Sequence, residues 1–309
     1  MNTSCSSIGP GQLEALALTR ACIALLSYVV TAFVVATAIG YYKAHTVFSL
    51  RLVLYSLTAA LVLSGIRVVQ IMVQEKILIE LCVPLAFLEE YVLWVKVLFT
   101  SWITFYLFSL TVCNCNPSQK CQETVYVVTS VLLPLPFACV PFITQSYGLA
   151  GAWCWIKATD DNCATLEAGA IEQFALTFVP LLIFTVLDIP AIIMITYILC
   201  KRAWKYDREH RDPLLPWQNH RAALKEVLPL IAYPVIFHVL SFVAIANRTE
   251  RAITGQSPFG LLYVQAMIDP SWGLLASITL SIHLCVLGKH RKENVHAPSF
   301  TECQLEHAE

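Results

Sequence analysis

The chain has 309 residues, 57% of them hydrophobic and 13% charged, with a formal net charge of −1 and a mean hydropathy of +0.66. An ordinary soluble domain carries about 25% charge, so this composition excludes one. The hydrophobicity excludes disorder, and 20 basic residues set against 21 acidic ones offer no basic surface for a nucleic acid.

In chain order, residues 1–20 are polar and are expected to form an outer tail. The first apolar run is too long for a signal-peptide core, so no cleaved signal is expected. Apolar runs from Ala21 to Tyr41, Phe48 to Val73, Cys82 to Val112, Tyr126 to Phe142, Ile171 to Cys200, Val227 to Ala246 and Leu261 to Leu287 predict seven membrane-spanning helices. The third lies in a 36-residue stretch from Leu78 to Cys113, about 54 Å of helix. Pro84 assigns its first residues to a loop and leaves one tilted helix. Pro134, Pro136 and Pro141 interrupt the fourth run. Pro180, Pro190, Pro229, Pro234 and Pro270 place potential kinks in the fifth to seventh, where a bundle can bend between two states. The fold class is all-α: an integral membrane bundle over residues 21–287, followed by a tail at 288–309. A folded ectodomain or catalytic domain has no room in this plan.

Basic residues set the expected orientation. With the amino terminus outside and the carboxyl terminus in the cytoplasm, twelve of the twenty fall on the cytoplasmic side and five outside (Arg20, Lys76, Lys157, Arg248 and Arg251). The longest inner loop, Lys201 to Glu226, carries Lys201, Arg202, Lys205 and Arg208. It suits a cytosolic partner or anionic lipid heads, although the positive-inside bias alone also accounts for it. Asn2 and Asn247 each begin an Asn-x-Thr/Ser triplet that falls outside in this topology, so both are candidate glycosylation acceptors.

Of twelve cysteines, only Cys5, Cys82, Cys154 and Cys163 lie on the oxidising side. Four cysteines admit three pairings. Cys82 with Cys154 is favoured, tying the third helix to the loop between the fourth and fifth, with Cys5 and Cys163 as the remaining pair. Cys113, Cys115, Cys121 and Cys303 are a poor match to a zinc site and read as helix-end residues or palmitoylation sites.

Charged groups inside spans are disfavoured and mark either function or pairing. Arg67, Glu89 and Asp269 fall in the outer half of their helices and Lys96 near mid-depth. Glu89 and Lys96 are seven residues apart, within about 20° on one helix face. These four are the candidate ligand-binding residues; the alternative is an internally neutralised network that holds helices in register. Arg51, near an inner helix end, can snorkel. Asp188 beside Pro190 reads as an inner switch or packing contact, and His238 and His283 as core histidines.

Particular segments carry a family resemblance. The run Gly151-Ala152-Trp153-Cys154-Trp155-Ile156 resembles the W-C-W-I element of the second outer loop in secretin/adhesion receptors and in the slime-mould cAMP-receptor-like group. Leu228 to Phe237 is similar to the sixth helix of the cAMP-like group, Ile245-Ala246-Asn247-Arg248 to the segment closing it, and Phe105-Tyr106-Leu107-Phe108 to the inner third helix. The chain thus resembles a G-protein-coupled receptor of the cAMP-receptor-like group. Phe99 stands where that group has tryptophan, and Asp269-Pro270 where serine-proline is usual. The rhodopsin-like class matches less well, since Thr111-Val112-Cys113-Asn114 replaces its Asp-Arg-Tyr and the seventh span has no lysine to hold retinal.

The resemblance implies a multi-pass plasma-membrane receptor in which a small, polar extracellular ligand acts through the sixth helix on a heterotrimeric G protein. No enzyme, catalytic set, metal or cofactor is expected. The rival reading is a transporter or channel for a polar solute, but no repeat relates the first and last three spans.

Overall fold

The computed structural model describes residues 9–40, 46–74, 79–113, 119–150, 153–158, 167–209, 217–254 and 258–295. They form seven long helical rods and one small β-hairpin. The rods are α1 (Pro10–Gly40), α2 (Phe48–Gln74), α3 (Cys82–Thr111), a fourth broken into α4 (Gln119–Leu132) and α5 (Pro134–Ile143), a fifth made of α6 (Glu167–Glu172), a π-helical turn (Gln173–Phe178) and α7 (Val179–Glu209), then α8 (Trp217–Thr254) and α9 (Phe259–Val295). Among the described residues, five stretches, Gly11–Gly40, Phe48–Ile71, Cys121–Ile143, Ala168–Arg202 and Pro229–Glu250, are long and apolar enough to cross a membrane. Large apolar side chains such as Phe33, Leu187 and Phe242 point outward, each more than 60% exposed. A bundle in lipid presents such a surface, because the bilayer removes any penalty for apolar exposure.

Polar and small residues face inward instead. Ser277 donates to Thr31 at 3.1 Å, Ser64 to Ser27 at 3.4 Å, and Ser56 bonds Thr100 at 3.0 Å. Such pairs link α9 to α1, α1 to α2, and α2 to α3, as expected where helices gain nothing from hiding apolar surface from lipid. Gly273 makes the closest approach possible: a Cβ there would stand 2.7 Å from Ser27 Oγ and 3.1 Å from Thr31 Oγ1. Between the helices, Phe48, Leu57, Trp94, Ile103, Tyr233 and Trp272 belong to one continuous buried cluster.

Several helices depart from their sequence boundaries. Helix α1 starts at Pro10, inside the expected tail, because Leu13, Leu16 and Ala17 recur at helical spacing and pack on Phe259, Tyr263 and Ala266 of α9. Helix α3 is single, as expected, but starts at Cys82, ahead of Pro84; a first-turn proline loses an N–H that has no intrahelical partner. The fourth rod breaks at Leu133, directly before Pro134. The expected loop from Lys201 to Glu226 is shorter than predicted, since α7 runs to Glu209 and α8 begins at Trp217.

In the fifth rod, Val179 N–H reaches back five residues to Phe174 O, immediately before Pro180. A proline frees a carbonyl one turn upstream, and the wider π turn re-engages the backbone there. At the same end of the bundle, strands β1 (Tyr147–Leu149) and β2 (Cys154–Ile156) pair antiparallel, Tyr147 opposite Ile156 and Leu149 opposite Cys154. The disulfide Cys82–Cys154, with Cα atoms 5.3 Å apart, fastens β2 to the start of α3. Tyr147 donates to Ala138 O at 2.8 Å, tying β1 to α5. Its burial holds the phenol above its ordinary pKa.

Candidate functional site

Beneath the hairpin lies a cavity of about 80 Å³ lined by α1, α2, α3, β2, the π turn, α7, α8 and α9. Helix α3 supplies most of its polarity. Adjacent Glu89 and Glu90 are both buried and diverge by about 100° around the helix, so they meet different partners. Glu89 accepts from Arg20 of α1, from Arg67 Nε at 3.0 Å and from Gln70 Nε2 at 2.7 Å. Gln70 also donates to Cys154 O at 3.1 Å, carrying the network into the hairpin. Glu90 accepts from Trp94 Nε1 at 3.1 Å, Trp155 Nε1 at 2.7 Å and Thr177 Oγ1 at 2.8 Å. The π turn directs Thr177 to that carboxylate and Gln173 to Ile156 O, at 2.6 Å. Each buried acid therefore has three donors, the condition under which burying a carboxylate is tolerable.

Arg67 also approaches Asp269 of α9, Nη2 to Oδ2 at 3.9 Å. Arg20 stacks over Trp153 at 4.3 Å, and Arg248 of α8 lies over Trp155 at 4.9 Å and Phe178 at 5.3 Å. Lys96 differs from all of these. Its residue is only 5% exposed, yet its ammonium meets no carboxylate or hydrogen-bond acceptor among the described residues. Its nearest specified partners are the faces of Phe237 and Trp272, at 5.6 and 5.5 Å. Four cations (Arg20, Arg67, Lys96, Arg248) and two acids (Glu89, Asp269) line the cavity, a formal excess of two positive charges.

The four residues selected from sequence, Arg67, Glu89, Lys96 and Asp269, all line this one cavity. Arg20 and Arg248 were assigned to outer loops and missed. Both sit at the edge of an apolar run, where counting hydrophobic residues places a charge outside the helix. The signal for Arg20 was the spacing of Leu13, Leu16 and Ala17, which extends α1 beyond the run. Asn247, expected as a glycosylation acceptor, is instead fully buried and donates its amide to Gln265 Oε1; that places the side chain inside the bundle, away from any glycan. Asn2, Cys5, Cys115, Cys163 and Cys303 lie outside the described residues.

At the opposite end, Lys201 is exposed and Arg202 half-buried on α7. Lys205 and Arg208 continue that helix, and their side chains lie outside the described residues. Arg51, expected to snorkel, is bonded to Glu123 of α4 at 2.6 Å, where Tyr55 also donates, at 2.8 Å. Deeper in the bundle, Asp188 accepts from Ser101 of α3 at 2.8 Å and faces His238 of α8 at 3.1 Å.

No protein-family model and no curated protein matches the chain by sequence. Among solved structures, it resembles the crystal structure of squid rhodopsin with a TM-score of 0.59 and 12% identity, covering 92% of this chain and 86% of that one. The likeness is one of fold: a seven-helix membrane bundle.

Proposed function

We propose that this chain is a G-protein-coupled receptor of the plasma membrane that transduces a small, polar extracellular ligand to a heterotrimeric G protein. The receptor-type fold supports the signalling role, and the hairpin end of the bundle is taken as the outer face. The observation that carries the ligand reading is Lys96, a buried ammonium that lies over the faces of Phe237 and Trp272 in a cation-rich cavity and makes no ion pair with the two acids, Glu89 and Asp269, that line it. A buried charge without a partner is strongly disfavoured, and an anionic group on the ligand supplies what Lys96 lacks. Arg67 and Glu89 serve differently, as a neutralised pair that fixes the cavity wall beside it.

The cavity of about 80 Å³ has room for roughly two or three waters, whereas a small-molecule site usually has about 300–1,000 Å³. Ligand entry therefore requires the walls to part. Phe237, Ser241, Ala244 and Arg248 form the α8 wall, and Pro229 and Pro234 lie in α8 further along. A ligand that binds the parted state more tightly shifts the equilibrium toward it, and a bend at these prolines carries the shift to the far end. The basic residues Lys201, Arg202, Lys205 and Arg208 at the end of α7 would face the G protein there.

The transporter reading needs the same charges to line a path through the bundle. The test is to express the full chain in cells and record G-protein dissociation and solute uptake in parallel, with small anions including cyclic nucleotides. Ligand-dependent dissociation without uptake is the expected result. Uptake with coupling at background for every G-protein class would overturn the receptor assignment.

A further inference from the structure

Two charged groups on the wall of the charged cavity keep bonding capacity that the protein does not use. Lys96 is one: its ammonium rests on the faces of Phe237 and Trp272 and makes no ion pair or hydrogen bond among the described residues. Asp269 is the other. Its side chain is 33% exposed, no hydrogen bond reaches it among the described residues, and Arg67 Nη2 stands 3.9 Å away, beyond hydrogen-bond length. Glu89, the second acid of the cavity, is the reverse, buried and already accepting from Arg20, Arg67 and Gln70. The two open groups also stand in order along the bundle. Gln265, Asp269 and Trp272 recur at helical spacing on one face of α9; the first two line the cavity, and the third carries the ring beneath Lys96. Asp269 thus lies one turn nearer the hairpin than that ring, about 4.5 Å of rise.

We infer that the ligand of this cavity is a small zwitterion of the amino acid class, its carboxylate bound to Lys96 and its ammonium to Asp269. The inference rests on the reading of the cavity as the ligand site and adds a second charge to the ligand. Electrostatics select this class. A simple anion satisfies Lys96 but brings like charge to Asp269, and a simple cation satisfies Asp269 but enters among Arg20, Arg67, Lys96 and Arg248. A molecule with both charges sets each against its opposite, and two charge-assisted hydrogen bonds fix its direction in the cavity. Size selects it as well. A rise of about 4.5 Å corresponds to about three covalent bonds of 1.5 Å, so the charges of a short amino acid reach both groups. A ligand of few atoms also needs the least parting of the walls around a cavity of about 80 Å³. Bound in this way, it joins α3, which carries Lys96, to α9, which carries Asp269, by a bridge that the two side chains do not make between themselves.

The test uses the full chain in phosphatidylcholine nanodiscs and reads the rise in thermal midpoint as each probe is titrated, a measurement that needs no G protein. The probes are ω-amino acids from glycine to γ-aminobutyrate, each set against the carboxylate that lacks its ammonium and the amine that lacks its carboxylate. The best zwitterion is expected to bind at least about tenfold more tightly than either counterpart, the scale of one charge-assisted hydrogen bond. Asp269→Asn should erase that advantage while the carboxylate binds no worse, and Lys96→Gln should weaken zwitterion and carboxylate alike. Asp269→Glu, which keeps the charge, should retain the preference and so separate a lost contact from a damaged fold. A carboxylate that binds as tightly as its zwitterion, through a site that Lys96→Gln abolishes, would overturn the inference and leave the anionic-ligand reading standing. Binding of the amine alone would overturn both. A preference for the zwitterion that survives in folded Asp269→Asn, or no shift with any member of the series, would overturn the inference, with the receptor reading decided by G-protein dissociation.

Discussion

Glu89, Glu90 and Lys96 show how neighbouring buried charges on one helix come to different ends. Glu89 is held by two arginines and Glu90 by two indoles and a hydroxyl, so both are satisfied within the protein. Lys96 has no such donor or acceptor set. Opposite consequences are expected for their removal. Glu89→Ala strands Arg20 and Arg67 and should destabilise the bundle by about 3 kcal/mol, read as a lowered thermal midpoint in detergent. Lys96→Met removes a buried ammonium that makes no ion pair or hydrogen bond among the described residues, so the midpoint should rise, while the response to an anionic ligand falls at least about tenfold. A Lys96→Met midpoint that drops as far as that of Glu89→Ala would assign Lys96 to structure instead. The sequence revealed these charges because each interrupts an apolar run. It did not reveal which were paired, since Arg20 comes from a helix 69 residues away and pairing depends on how the rods are arranged.

The elements are positioned by small residues, prolines and one covalent tie. At Gly273 any side chain would collide with Ser27 of α1. Gly273→Val is therefore expected to push α9 from α1 and cost about 1–3 kcal/mol, with partial recovery of the midpoint when Ser27→Gly is added; no recovery would mean that the glycine acts elsewhere. The Cys82–Cys154 bond holds the hairpin over the charged cavity. Cys82→Ser and Cys154→Ser should lower surface expression or ligand response equally, and the double variant should be no worse than either; additive losses would contradict that pairing. Apolar runs made the rods legible in advance, and Pro134 the break in the fourth, while Pro190, Pro229, Pro234 and Pro270 lie inside continuous helices. The π turn and the early start of α1 were less so, because they arise from a backbone adjustment before Pro180 and from packing against α9, neither of which alters local hydropathy.

At the scale of the whole molecule, the fold follows from a composition that leaves lipid as the only suitable solvent, and the proposed function rests on a cation-rich cavity at one end of a seven-helix bundle. Orientation can be tested separately. With the amino terminus outside, glycosidase treatment should shift the wild-type band, Asn2→Gln should remove that shift, and Asn247→Gln should not, because Asn247 is buried. Loss of the shift only in Asn247→Gln would contradict its burial. The central claim is that an anionic ligand held at Lys96 drives G-protein coupling. Its most direct test compares concentration–response curves for G-protein dissociation in cells carrying the wild-type chain or Lys96→Gln at matched surface expression. The account predicts saturable dissociation with a small anion, its midpoint displaced at least about tenfold by the substitution. Superimposable curves for the two chains, or a response to cations alone, would contradict it.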